Sequence, residues 1–314
     1  MRALPALLFV LALAPRAAAA EDPPAGRSVA LIVVGLGGDK EHEALFATTA
    51  AAWRDALAAH GFPRDAIRIL AGHDAPPAAR PDPSEVLKKP LAHGPATRAA
   101  LETEVARLRD SLRPDDRLWV FFLGHADHDG RRAAFHLPGP DLTAADAGKL
   151  FANLPPREQV FWLTFAASGS FVKPLAARDR SVIAATEPDG EIERTEFPLA
   201  LADALREPLE KLDADRDGRI SVLELYRRTA LLTEARFAAD RRVATEHPLL
   251  DDNGDGVGTE APVLPGDPPR KDAGPDKPKP TADGPRAART FLPGKASGGR
   301  QPPVSSDGPE PTGG

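Results

Sequence analysis

The chain is 314 residues long, 42% hydrophobic and 27% charged, with 40 Lys+Arg against 46 Asp+Glu, a formal net charge of -6 and no Cys. That balance suits one large globular domain or two small ones and excludes a fibrous or wholly disordered protein. With no basic excess to bind a polyanion through counterion release, no nucleic-acid partner is expected, and the missing thiol removes disulfides, thiolate zinc sites, iron–sulfur clusters and any cysteine nucleophile.

Met1-Arg2, an apolar run from Ala3 to Ala14, and Ala18-Ala19-Ala20 ahead of Glu21-Asp22 read as a secretory signal peptide over residues 1–20. The expected location is therefore secreted or periplasmic, with a mature chain starting near Glu21. An uncleaved anchor is the other reading, because Pro15-Arg16 interrupts the pattern. No later stretch is as apolar, so no transmembrane segment is expected in the mature chain.

Val29 to Val34 is a continuous apolar run ended by Gly35-Leu36-Gly37-Gly38, as expected of a parallel strand buried on both faces. The glycines are a weak phosphate-loop signal, since no Lys-Ser/Thr follows. A helix is expected over Glu41 to His60, stopped by Gly61, then a short strand over Ala66 to Leu70 and an Ala/Pro-rich surface loop over Ala75 to Pro83. Leu101, Val105, Leu108 and Leu112 give helical spacing to Thr97–Leu112. Arg117 to Leu123 reads as a central strand. A helix capped by Thr143 follows to about Asn153, then strands over Gln159–Phe165 and Ser181–Ala185 and a helix over Glu196–Lys211. The alternation predicts an α/β fold: a mostly parallel sheet with helices on both faces, and function at the carboxyl ends of its strands.

Two of those ends carry motifs. Leu123-Gly124-His125-Ala126 follows one buried strand, and Phe165-Ala166-Ala167-Ser168-Gly169-Ser170 follows a later one. A strand followed by Gly-His-Gly, and a later one followed by Cys, a variable residue and Ser-Gly, resembles the caspase-like fold of the legumain family of cysteine peptidases over about residues 28 to 210. The resemblance implies that His125 stands at the general base, Ala166 at the nucleophile, and backbone N–H groups beside them at the oxyanion. An alanine cannot attack a carbonyl. The chain therefore resembles an inactive relative, with His125 a relic base or an inert hydrogen-bonded residue. Ser168 or Ser170 beside His125 is the alternative nucleophile of an active hydrolase. His125-Ala-Asp127-His128-Asp129 reads either as a metal loop or as a polar turn.

Asp213-Ala-Asp215-Arg-Asp217-Gly218-Arg219-Ile220-Ser221-Val-Leu-Glu224 matches the calcium loop of an EF-hand at every position. Ca²⁺ takes six to eight hard oxygens, and this spacing offers Asp213, Asp215 and Asp217, the Arg219 carbonyl, Ser221 directly or through water, and a bidentate Glu224. Gly218 permits the turn, Ile220 is expected to pair with a neighbouring loop, and helices are expected over Leu199–Lys211, with a possible kink at Pro208, and Val222–Ala239. Asp251, Asn253 and Asp255 repeat the first half of the pattern, but position 12 is Pro262 and Glu260 is the only substitute at hand. This second stretch reads either as a calcium loop or as a turn.

Residues 262 to 314 are rich in Pro and Gly and poor in large apolar groups, the composition of a disordered tail. The expected organisation is a signal peptide over 1–20, a caspase-like α/β domain over 21–210, an EF-hand segment over 196–261 and the tail over 262–314. The expected function is that of an exported calcium-binding protein with an inactive peptidase-like domain holding a peptide or protein in its relic cleft. The alternatives are a hydrolase using His125 with Ser168 or a metal, and a separable calcium module on an α/β spacer.

Overall fold

Chain segments that are apolar at nearly every position must be covered on both sides, and three of them form the centre of the sheet. The computed structural model describes residues 26–72, 92–188, 190–191, 193–263 and 283–294. β1 (Ser28–Val34), β3 (Arg117–Leu123) and β7 (Glu158–Leu163) pair in parallel, with β1 in register from Ser28 opposite Arg117 to Val34 opposite Leu123. β2 (Ile67–Leu70) flanks β1, and β8 (Arg180–Ala184) flanks β7, both parallel. β9 (Leu249–Asp251) closes the far edge antiparallel to β8, giving six strands in the order β2-β1-β3-β7-β8-β9. The fold is α/β with a mixed, mostly parallel sheet, as the alternation predicts.

Alternate residues of each strand feed two separate cores. Ile32, Phe121, Trp162 and Ile183 pack with α1 (Lys40–Ala59), α5 (Phe197–Ala204) and α7 (Val222–Ala239). Leu31, Val120, Phe161 and Val182 pack on the opposite face with α2 (Arg98–Ser111), α3 (Ala144–Leu150) and α4 (Gly169–Leu175). Thr97 and Thr143 cap α2 and α3 through their hydroxyls, accepting from the N–H of Ala100 and Asp146. Between β3 and α3 the chain makes a small antiparallel sheet, β4 (Ala126–His128), β5 (Ala133–Phe135) and β6 (Leu142–Thr143), which the sequence reading does not contain.

Three expectations are corrected. The helix expected over Glu196–Lys211 is two: α5 ends at Ala204, and α6 (Leu209–Leu212) is a single turn. Pro208 is the break, because it has no N–H for the helical ladder and holds the residue before it away from helical geometry. The expected EF-hand segment is not set apart from the α/β domain, since Phe197, Leu223, Leu225, Tyr226 and Leu250 lie in the same core as β1, β3 and β7, and β9 completes the sheet. Residues 283–294, expected to be disordered, are folded. Ala287 is fully buried and Leu292 is 5% exposed, so two small apolar anchors and a set of backbone hydrogen bonds hold this strap where average composition predicts none. The expected signal peptide, the Ala75–Pro83 loop and the rest of the tail lie outside the described residues.

Candidate functional site

His125 and Ala166, just beyond the carboxyl ends of β3 and β7, line one narrow cleft. It is lined by Leu45, Phe46 and Thr49 of α1, by His125 and Ala166, and by Arg194 and Thr195 ahead of α5, and it has room for about one water. Gly35, just past β1, lets the β5 hairpin approach closely, since a Cβ there would stand 2.5 Å from the His136 carbonyl oxygen. The His125 ring lies 5.0 Å from that of His42 and 5.1 Å from that of Phe46, centroid to centroid. Burial, and then the charge of His42, holds the His125 imidazole below its ordinary pKa against a hydrogen bond with the Gly37 backbone, so at neutral pH it is uncharged. His42 is in turn fixed by Asp39, the N-cap of α1, whose carboxylate binds the His42 N–H at 2.9 Å and its Nδ1 at 2.7 Å. The sequence reading missed this Asp39–His42 pair, whose only local signal is an acidic N-cap.

The described hydroxyls around the cleft are engaged with the backbone, Thr49 Oγ1 donating to the Leu45 carbonyl at 2.8 Å. Ser168 is fully buried, and its Oγ accepts from the N–H of Ala185 at 2.9 Å and of Thr186 at 3.2 Å while facing Thr186 Oγ1 at 3.1 Å. It splices the start of α4 to the end of β8. Ser170 donates its hydroxyl to the Pro188 carbonyl. Ala167, next to the nucleophile position, sits at φ 56°, a strained conformation for a residue with a Cβ, and its N–H goes to the Glu191 carbonyl at 2.9 Å. Thr195 Oγ1 reaches the Thr164 carbonyl at 2.8 Å. The segment leading into α5 is thereby sewn across the strand ends.

Of the two readings of the loop after His125, the hairpin turn is what forms. Asp127 is exposed on β4, and Asp129 Oδ1 accepts from the N–H of both Arg131 and Arg132 at the turn. These residues do not converge on a common point.

The Asp213–Glu224 loop does converge. Oxygens of Asp213, Asp215 and Glu224 all lie within 4.8 Å of one another, the one such group among the described residues. The loop is wound by its own carboxylates: Asp213 accepts from the N–H of Asp217 and Gly218, Asp215 from Asp217, and Asp217 from Arg219. Gly218 at φ 82° and Arg216 at φ 63° take the left-handed turns. Glu224 is buried and serves α7 as well, because Ser221 and Glu224 form a capping box in which the Ser221 hydroxyl and N–H both reach Glu224 Oε2 at 2.8 Å. Its other oxygen accepts from the Ala214 N–H at 2.7 Å. An all-oxygen set of this kind fits a hard cation.

Ile220 pairs, but not with the second acidic loop. Its carbonyl accepts from the Leu292 N–H at 2.9 Å, and the Val222 N–H donates to the Thr290 carbonyl at 2.7 Å, so the strap is the loop's partner strand.

The second loop, Asp251 to Thr259, is closed by the same kind of turn. Asp251 accepts from the N–H of Gly254 and Gly256, Asn253 from Asp255, and Asp255 from Val257. Pro262 is buried and Glu260 is exposed. The carboxylate that the fold brings here is Asp283, which accepts from the Asp252 N–H at 3.0 Å and is pushed up to about 7 by burial and by the charges of Asp251, Asp252 and Asp255. Asp252 binds the strap, taking the N–H of Gly284, Arg286 and Ala287. An Asp in a Pro/Gly-rich stretch carries no local signal that would have revealed this.

A scan against protein-family models finds no match to this chain, and a search of curated proteins finds none either. Among the described residues no helix is long and apolar enough to cross a membrane.

Proposed function

We propose that the protein is an exported calcium-binding protein whose peptidase-like domain is catalytically silent and acts by binding. The convergence of Asp213, Asp215 and Glu224 carries the calcium half of this reading: three carboxylates on a twelve-residue loop with a left-handed glycine at its sixth position. Asp217, the Arg219 carbonyl and Ser221 are the further ligands that the spacing offers. Free Ca²⁺ outside the cell is high enough to keep a weak site filled, so the ion's role is stability rather than signalling. The second loop, with Asp251, Asn253, Asp255 and Asp283, is a weaker position for the same ion.

The silent reading of the cleft is supported by what its described hydroxyls do: Thr49 donates to the Leu45 carbonyl and Thr195 to the Thr164 carbonyl. Ala166 has only a methyl group to offer, and the Ser168 hydroxyl is committed to the β8 end. The strand order and the placing of His125 and Ala166 at adjacent strand ends fit a caspase-like ancestry. The cleft's apolar wall, with Arg194 at its rim, suits an extended peptide carrying an acidic group, bound after the rim has opened.

Calorimetric Ca²⁺ titration of the chelator-stripped protein tests the calcium half. Saturable binding with a raised Tm is expected, and its loss in an Asp213→Ala/Glu224→Ala variant. Heats no larger than dilution would sink the reading. Peptide-hydrolysis assays of wild type and His125→Ala are expected to be equally blank, and turnover lost in the variant would restore the hydrolase.

A further inference from the structure

The strap touches the calcium loop on the stretch that carries its ligands at positions 7, 9 and 12. Leu292 and Thr290 bond the backbone on either side of Ser221, which itself bridges Phe291. The Arg219 guanidinium lies 3.4 Å from the centroid of the Phe291 ring, so position 7 is held through its side chain as well. At its other end the strap is gripped by Asp252, whose carboxylate takes three of its N–H groups, and it buries Ala287 and Leu292 in the core beneath α7. Removing the strap would leave Arg219 to Val222 without the partner that pairs with it, free to sample geometries in which Glu224 no longer converges with Asp213 and Asp215.

We infer that residues 283–294 are a calcium-linked latch: docking of this strap and filling of the Asp213–Glu224 loop strengthen one another. The inference rests on the calcium reading and adds its regulation. A docked strap holds the ligand-bearing backbone in the binding geometry and so lowers the ordering cost of taking up the ion. By linkage the ion must then favour the docked strap by the same factor, and the coupling needs no contact between the strap and the metal. Chelation, or low calcium, therefore loosens the strap and uncovers the Ile220 edge together with the seat of Leu292.

Two measurements on the full chain test this. Hydrogen exchange on the wild type, with Ca²⁺ and with chelator, is expected to show the Leu292 and Val222 amides exchanging about ten times faster without calcium, within the usual range of coupling between sites. Calorimetry on Leu292→Asp, which puts a charge in the buried seat, is expected to show Ca²⁺ binding weakened by about the same factor. Equal affinity in wild type and variant, or exchange at those amides indifferent to calcium, would overturn the latch while leaving the calcium site standing. No binding by the wild type would remove both. Should Leu292→Asp fail to fold, the wild-type exchange experiment decides alone.

Discussion

Ser168 shows how one atom decides between two chemistries. A serine two residues beyond the expected nucleophile, close in sequence to a strand end, has the composition of a hydrolase remnant; buried, and accepting from two amides, its oxygen has no lone pair or path left for a substrate. A second buried group matters for pH. Glu246 accepts from the N–H of Glu196 and Phe197 at the start of α5, yet burial, with Glu196 and Glu191 nearby, pushes its carboxyl up to about 7. The folded chain thus holds a proton that the unfolded chain releases near 4.5, and stability from this group is full below that pH and is lost as pH rises through about 7. Glu246→Gln, which cannot ionise, should flatten that fall by on the order of 3 kcal/mol between pH 4.5 and 7, read from urea midpoints at fixed calcium. Parallel curves for the two proteins would refute it.

Elements built from dense local signals were legible in the sequence. β1, β3 and β7 are mostly apolar runs, and α3 carries a threonine cap that the structure uses as expected. What was not legible is made by distant partners. β9 is three residues long and is a strand only because β8 offers an edge, and the strap owes its order to Ile220, Asp252 and the core beneath α7. Of the candidate site, the convergence of Asp213, Asp215 and Glu224 was legible in the loop's spacing, while Asp39–His42 and Asp283 arrive through tertiary contact. α7 offers a test at this scale. Because its capping box shares Glu224 with the loop, Ser221→Ala should cost about 1 kcal/mol of stability in chelator, whereas Ser221→Thr should cost a fraction of that. Urea unfolding of the two variants distinguishes them, and an unchanged midpoint in Ser221→Ala would mean that the box contributes nothing.

At the scale of the molecule, the two sites stand at opposite poles of one sheet. His125 and Ala166 follow the carboxyl ends of β3 and β7, whereas Asp251 ends β9 opposite Val182, and Arg219 and Arg286 bear electrostatically on Glu158, the first residue of β7. A seven-residue strand separates the poles by roughly 20 Å, so an ion held by Asp213, Asp215 and Glu224 would lie too far from the cleft to touch anything in it. The shared core also decides whether the segment over 196–261 is a separable module. Deleting residues 196–261 strips α5 and α7 from one face of the core, leaving α1 there, and removes the β9 edge, and the remainder should show no cooperative thermal transition by circular dichroism. A folded remainder would mean that the sheet stands without them. The strap bears on how the chain reaches this state. Gly61, just past the end of α1, lies so close to the strap that a Cβ there would meet the Gly294 carbonyl oxygen at 1.9 Å. The first helix and the last described segment therefore meet across most of the chain's length, and contacts so remote in sequence form slowly. Docking of the strap draws on β9, α7 and α1, so during synthesis it follows all three, and that part of the fold closes only once residues 283–294 have left the ribosome.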